Sequence, residues 1–209
     1  VGSEMCIRDS SSRRRQKELA RVLTLSGHRV DQAQWCPSPN FNERPDPADI
    51  SLLVIHNISL PPSQFGSGHI EAFFQNCLNP ADHPYFETIH QLTVSSHFLI
   101  RRDGGLLQFV PCDKRAWHAG VSTFQGRENC NDFSLGIELE GADNIPYENA
   151  QYATLAALTQ LLQHHYPAIT DARITGHEHI APGRKTDPGP AFDWRRYREQ
   201  LADFREEKA

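Results

Sequence analysis

Hydrophobic and polar positions along this chain switch between the two-residue period of strands and the wider spacing of helices. Residues 52–55, Leu-Leu-Val-Ile, form a short apolar and β-branched run, the pattern of a buried strand, with His56 at its end. HIEAFFQNCL (69–78) has helical spacing and stops before Asn79-Pro80. SSHFLIRR and LLQFVP predict two strands, joined by a turn at Asp103-Gly104-Gly105. FSLGIELEG (133–141) predicts another strand. NAQYATLAALTQLLQHHY (149–166) predicts an amphipathic helix ended by Pro167. RITGH reads as a short strand, and DWRRYREQLADF as a closing helix with Asp193 as its N-cap. The Pro- and Asn-rich residues 37–47 read as an extended surface arm. The expected fold class is α/β (α+β), a central mixed sheet flanked by helices, with functional residues where strands run out into loops.

Residues 1–20 show no period, and VGSEMCIRDS resembles a translated sequencing adapter. They are set aside as a non-native or disordered leader, leaving residues 21–205 as a single domain. A chain of 209 residues has the length to bury a real core. Its net charge of −5 gives no basic footprint for nucleic acid. No stretch approaches the roughly 20 apolar residues of a membrane helix, and no signal-peptide core precedes the domain. Five scattered cysteines without a CxxC pair argue against a disulfide framework and for a reducing compartment. The expectation is a cytoplasmic monomer with no membrane partner. Eleven histidines change the picture, because histidine is the commonest side-chain metal ligand.

A hydrolytic zinc site takes three protein ligands and leaves one position for water, and it needs ligands on strand ends or stiff loops. His56 and His177 both follow strands; either fits equally a packed structural histidine. Asp187, in the proline-braced KTDPG, reads on local sequence as an Asx-turn former. The HEH pair could put His177 and His179 on one face of an extended chain, although Ala181-Pro182-Gly183 would break that alternation. In GIELEG, alternation places Ser134, Gly136, Glu138 and Glu140 on one face. Gly136 leaves room there for a substrate or metal, and two neighbouring carboxylates would raise one pKa, as suits a general base. Trp117, in WHAG, is either an aromatic platform for a sugar or peptide or part of the core. His118 beside it has no assigned partner.

Taken together, SLLVIHNISLPP, ADHPYF, LIRRDG, DKRAWHAG, CNDFSLGIELEG and TGHEHIAPGRKTDPGPAFDW closely resemble one family. It is the AmpD-type 1,6-anhydro-N-acetylmuramyl-L-alanine amidase, within the zinc N-acetylmuramoyl-L-alanine amidase and peptidoglycan-recognition protein fold. The resemblance runs from about Trp35 to about Arg196. It implies zinc held by His56, His177 and Asp187, with Glu138 as acid/base and Lys185 assisting. Asn57, Tyr85, Trp117 and Arg127 are the substrate-binding candidates. Some relatives carry arginines where this chain has Thr93 and Asn129, and Arg127 is the residue expected to compensate. The implied reaction is hydrolysis of the amide between anhydro-N-acetylmuramic acid and L-alanine in muropeptides, during peptidoglycan recycling. Alternatives are an amidase acting on intact peptidoglycan, a non-catalytic recognition module, and a zinc hydrolase built on the HEH pair.

Overall fold

The structure, a computed structural model, describes residues 11, 13–19 and 22–206. The adapter-like residues 1–10 lie outside the described residues. Residues 13–19, set aside with the leader, are helical. Gln16 is buried there and donates to the Gln200 carbonyl at 3.1 Å, and Leu19 packs on the main core.

Six strands form the central sheet: β1 (Gln34–Trp35), β2 (Leu52–Ile58), β3 (Phe98–Ile100), β4 (Leu106–Gln108), β5 (Ser134–Glu140) and β6 (Ile174–Gly176). Their spatial order is β6-β2-β5-β3-β4-β1, parallel throughout except for the β3–β4 hairpin. The helices are α1 (His69–Phe74), α2 (Pro84–Glu87), α3 (Asn149–His165), α4 (His177–Ile180) and α5 (Trp194–Glu206). The expected mixed sheet with helices on its faces is what forms.

Alternation along the two central strands decides which side chains reach the site. Leu53 and Ile55 of β2, with Leu135, Ile137 and Leu139 of β5, face Leu155, Leu158 and Leu162 of α3 and Tyr197 of α5. Each such aliphatic side chain stabilises the fold by about 1.5–3 kcal/mol. The alternate positions, Leu52, Val54 and His56 beside Ser134, Gly136 and Glu138, share the other face. Phe73, Phe74, Phe86 and Phe109 form a second core with Leu99 and Leu107. Gln151, near the start of α3, donates from its amide to the Glu140 carbonyl at 2.9 Å, fastening the helix to the end of β5. Asp193 caps α5 as expected, its Oδ1 accepting the Arg196 N–H at 2.9 Å.

The arm at residues 37–47 is extended and mostly exposed, as expected, but Ser38, Asn40 and Arg44 within it are buried. Phe41–Glu43 pairs antiparallel with Lys114–Ala116, and Arg44 behind it is buried. The Arg44 guanidinium donates to the carbonyls of Cys112 at 3.0 Å and Ser134 at 2.8 Å. Proline-rich composition reports an irregular backbone; it does not report a buried cation satisfied by distant carbonyls. The four described cysteines, Cys36, Cys77, Cys112 and Cys130, are unpaired. Among the described residues no helix is long and apolar enough to cross a membrane.

His97 makes the fold acid-sensitive. It is fully buried, its Nδ1 accepts the Gly136 N–H at 3.1 Å, and its Nε2–H donates to the Lys114 carbonyl at 2.9 Å. Burial, aided by the Arg44 charge, lowers its pKa to about 3. An unfolded imidazole takes up its proton near pH 6.5, so between these values the unfolded chain holds more protons. The stabilisation is complete above about pH 6.5 and is lost as pH falls toward the folded value. Acidification from pH 7 to pH 5 is expected to remove about 2 kcal/mol through this residue. Urea unfolding at both pH values should show that loss in wild type and not in His97→Asn. An equal pH dependence in the two proteins would refute it.

Candidate metal centre

The carboxyl ends of the parallel strands β6, β2 and β5 come together at one edge of the sheet, where open α/β sheets place their ligands. β2 and β5 run in register there, so His56 and Glu138 are direct neighbours on the same face. β6 ends at Gly176 and delivers His177 as the first residue of α4. The following loop turns back and brings Asp187 to both histidines. His56 Nδ1 lies 3.0 Å from His177 Nδ1, and each is 3.2 Å from Asp187 Oδ2.

This triangle fits a metal. Zinc bound tetrahedrally at about 2.0–2.1 Å separates its nitrogen and oxygen ligands by about 3.3 Å. Both histidines also have their remaining ring nitrogens occupied. His177 Nε2 lies 2.9 Å from the Ala119 carbonyl, and His56 Nε2 lies 2.9 Å from His118 Nδ1. The carbonyl can only accept, so the His177 proton sits on Nε2 and its Nδ1 lone pair points into the triangle. Burial, followed by the neighbouring His177 and Lys185, lowers the His56 pKa to about 4, opposed by Asp187. A neutral imidazole is the form that ligates. Burial opposes the Asp187 charge, but hydrogen bonding with His177 and His56 holds its carboxyl well below the usual range. The chemistry of the set, two imidazoles and a carboxylate, suits zinc.

Glu138 is buried beside the triangle, its Oε1 3.8 Å from His56 Nδ1. Its Oε2 is buried and takes no hydrogen bond from the described residues. Burial pushes its pKa well up, Asp187 pushes it further, and Lys185 opposes both. The neighbouring carboxylate in this balance is Asp187. Glu140, expected in that role, is engaged elsewhere by the N–H groups of Gly66 at 3.0 Å and Arg102 at 3.1 Å. Gly136 does leave room, but His118 occupies it: a Cβ there would stand 2.7 Å from the imidazole Cγ.

The loop carrying Lys185 and Asp187 is fastened by side chains outside it. Asp143 accepts from Asn57 Nδ2 at 2.8 Å and from Thr186 Oγ1 at 2.5 Å. Asn57 also reaches the Pro188 carbonyl at 3.1 Å, which the Tyr147 hydroxyl approaches at 2.7 Å. Gly189 has φ +81°, and a Cβ would lie 2.4 Å from Asp143 Cα, so only glycine passes there. Asn57, a substrate-binding candidate, thus holds the loop while lining the cleft.

The centre opens into a cleft of about 710 Å³, lined also by Tyr85, Trp117 and Lys185. Trp117 is half-buried and anchored by its indole N–H on Asn42 Oδ1 at 3.0 Å. Arg127 is not among the cleft residues. Its guanidinium pairs with Asp49 at 2.7 Å and lies over the Phe133 ring. His177 to Ile180 form a helical turn, so the two histidines of HEH do not share a face. His179 points away to solvent and toward Trp194. Sequence reasoning left His118 and Asp143 without roles. The only sequence signal was the WHAG stretch itself, since His118 meets His56 across 62 residues and Asp143 meets Asn57 across 86.

A family profile described as N-acetylmuramoyl-L-alanine amidase matches residues 46–190, which include every residue of the centre. The 1,6-anhydro-N-acetylmuramyl-L-alanine amidase AmpD of Salmonella typhimurium is 59% identical over 171 residues, covering 82% of this chain and 91% of that protein. The crystal structure of a selenomethionine derivative of AmpD superposes with a TM-score of 0.83 at 56% identity, covering 85% of this chain and 99% of that one. The Escherichia coli amidase AmiD, solved with anhydro-N-acetylmuramic acid-L-Ala-D-γ-Glu-L-Lys, gives 0.53 at 30% identity, over 73% of this chain and 57% of that one. The chain belongs to the N-acetylmuramoyl-L-alanine amidase family.

Proposed function

We propose that this amidase cuts the bond joining the lactyl group of 1,6-anhydro-N-acetylmuramic acid to L-alanine, with zinc held by His56, His177 and Asp187. The observation that carries this reading is the convergence of those three ligand atoms within 3.2 Å, next to a buried glutamate. The names of the curated relatives supply the anhydro-muropeptide as substrate class. The reading places the reaction in the cytoplasm, on a monomer whose catalytic domain spans residues 21–205.

Zinc at these ligands would supply a Lewis acid that makes water reactive toward an amide at neutral pH. Glu138 takes the proton of the attacking water and hands it to the departing amine of L-alanine. Glu138 lines the cleft, and its Oε1 lies 3.8 Å from His56 Nδ1, so the carboxylate stands beside the ligand set where that water would be. Lys185 favours the ionised carboxylate against its burial, and a bound dication would add to that, so the group can act as a base. Lys185, exposed on the cleft wall, brings positive charge to the carbonyl oxygen as the tetrahedral geometry forms. Tyr85 and Trp117 offer ring faces to the sugar or peptide.

Product analysis on anhydro-muropeptide beside intact peptidoglycan, with and without zinc, tests the reading. Free peptide and anhydro-N-acetylmuramic acid should appear from the small substrate, and only with metal. Cleavage confined to intact peptidoglycan would overturn the substrate assignment. In the same assay Lys185→Met should run about 10²-fold slower at full zinc content. An unchanged rate would return Lys185 to a solvated loop residue.

A further inference from the structure

His118 is buried directly behind the metal ligands, and nothing in the mechanism above uses it. Its ring stands edge-on to His56, with centroids 5.0 Å apart. His118 Nδ1 lies 2.9 Å from His56 Nε2, and its Nε2 lies 3.0 Å from Ser134 Oγ. If His56 presents its Nδ1 lone pair to the metal, its proton is on Nε2 and donates to His118 Nδ1. The His118 proton is then on Nε2 and donates to the Ser134 hydroxyl. Every hydrogen bond in this line finds a donor and an acceptor for one tautomer of each ring.

The next residue does the same for the other histidine. The Ala119 carbonyl receives His177 Nε2–H at 2.9 Å. The backbone of both residues is fixed from one point: Asn131 Oδ1 accepts the N–H of His118 at 3.1 Å and of Ala119 at 2.8 Å. Gly136 provides the space for the His118 ring. Two consecutive residues therefore hold two ligands that come from different elements, β2 and α4.

We propose that His118 is a positioning residue of the metal centre, which fixes the tautomer and ring plane of His56, and that Asn131 sets the strap that aligns His56 and His177 together. The inference rests on the zinc reading above. An outer partner of this kind contributes about 10- to 100-fold in metal affinity. It acts before any substrate binds, so the effect belongs to metal affinity as well as to turnover.

The test is a zinc dissociation constant, measured by competition with a chromophoric chelator, with thermal unfolding of the metal-free proteins alongside. His118→Phe keeps the ring volume and removes the acceptor; zinc should bind 10- to 100-fold more weakly. His118→Asn retains an acceptor where Nδ1 stood and should bind within about threefold of wild type. Asn131→Ala, compared with Asn131→Asp, tests the strap if His118→Phe does not fold. Asn131→Ala should weaken zinc about tenfold, and Asn131→Asp, which keeps the accepting oxygen, should restore it. Equal affinity in wild type and His118→Phe overturns the inference, as does equal weakening by Phe and Asn, which would make His118 only a space-filler. Wild type that binds no zinc overturns the metal reading itself, a distinguishable result that removes this inference with it.

Discussion

Glu138→Gln is expected to lower kcat by about 10³-fold while the protein still binds one equivalent of zinc. The amide keeps the shape of the carboxylate in its buried position and cannot accept the proton of water. His56, His177 and Asp187 are untouched, so metal content separates this loss from damage to the ligand set. The substitution also removes the pH dependence that Glu138 imposes. Its pKa is raised by burial and by Asp187, so wild-type kcat/KM should fall on the acid side as the carboxyl takes up its proton. The residual activity of Glu138→Gln should lack that limb. Turnover within tenfold of wild type would end the assignment of Glu138 as acid/base.

Asp187→Ala is expected to abolish both stoichiometric zinc binding and activity, by at least about 10⁴-fold. It removes one of three ligands and the only anionic one, so two neutral imidazoles are left to hold a dication. Chelation of wild type should reach the same floor, and added zinc should restore wild type but not the variant. The loop should keep its course in the variant, because Asp143, Asn57 and Tyr147 hold it through Thr186 and Pro188 rather than through Asp187. Activity that survives complete metal removal would exclude a metal-dependent reaction.

The central strands were legible because their alternation is clean. Leu135, Ile137 and Leu139 went to the core, which left Glu138 on the other face. His56 was a candidate because it ends a short apolar strand run. Asp187 was different: its local sequence favours a turn, and it became a ligand only through the family resemblance. No period in the chain announces that residues 56 and 187 meet. His118 stayed unassigned because its partner depends on strand order, and β2 pairs with β5 and β6 across long intervals. Gly136 was correctly read as space but given to the wrong occupant. Arg127 was placed by analogy with missing arginines, and its salt bridge to Asp49 takes it elsewhere. The helical turn at His177–Ile180 was ambiguous, because four residues are too few to show a period.

The ligands are far apart along the chain: His177 is 121 residues from His56, and Asp187 is 131. An ion bound by all three is a cross-link between the two ends of the domain. In an unfolded chain, closing a loop of that length costs about 5 kcal/mol. An ion bound by all three ligands therefore favours the folded state, and its binding free energy would add to the resistance of the whole domain to unfolding. During synthesis the cross-link is impossible until residue 187 has emerged, so every nascent chain starts without it. On the zinc reading, metal supply would then bear on how long newly made protein survives as well as on how fast it works.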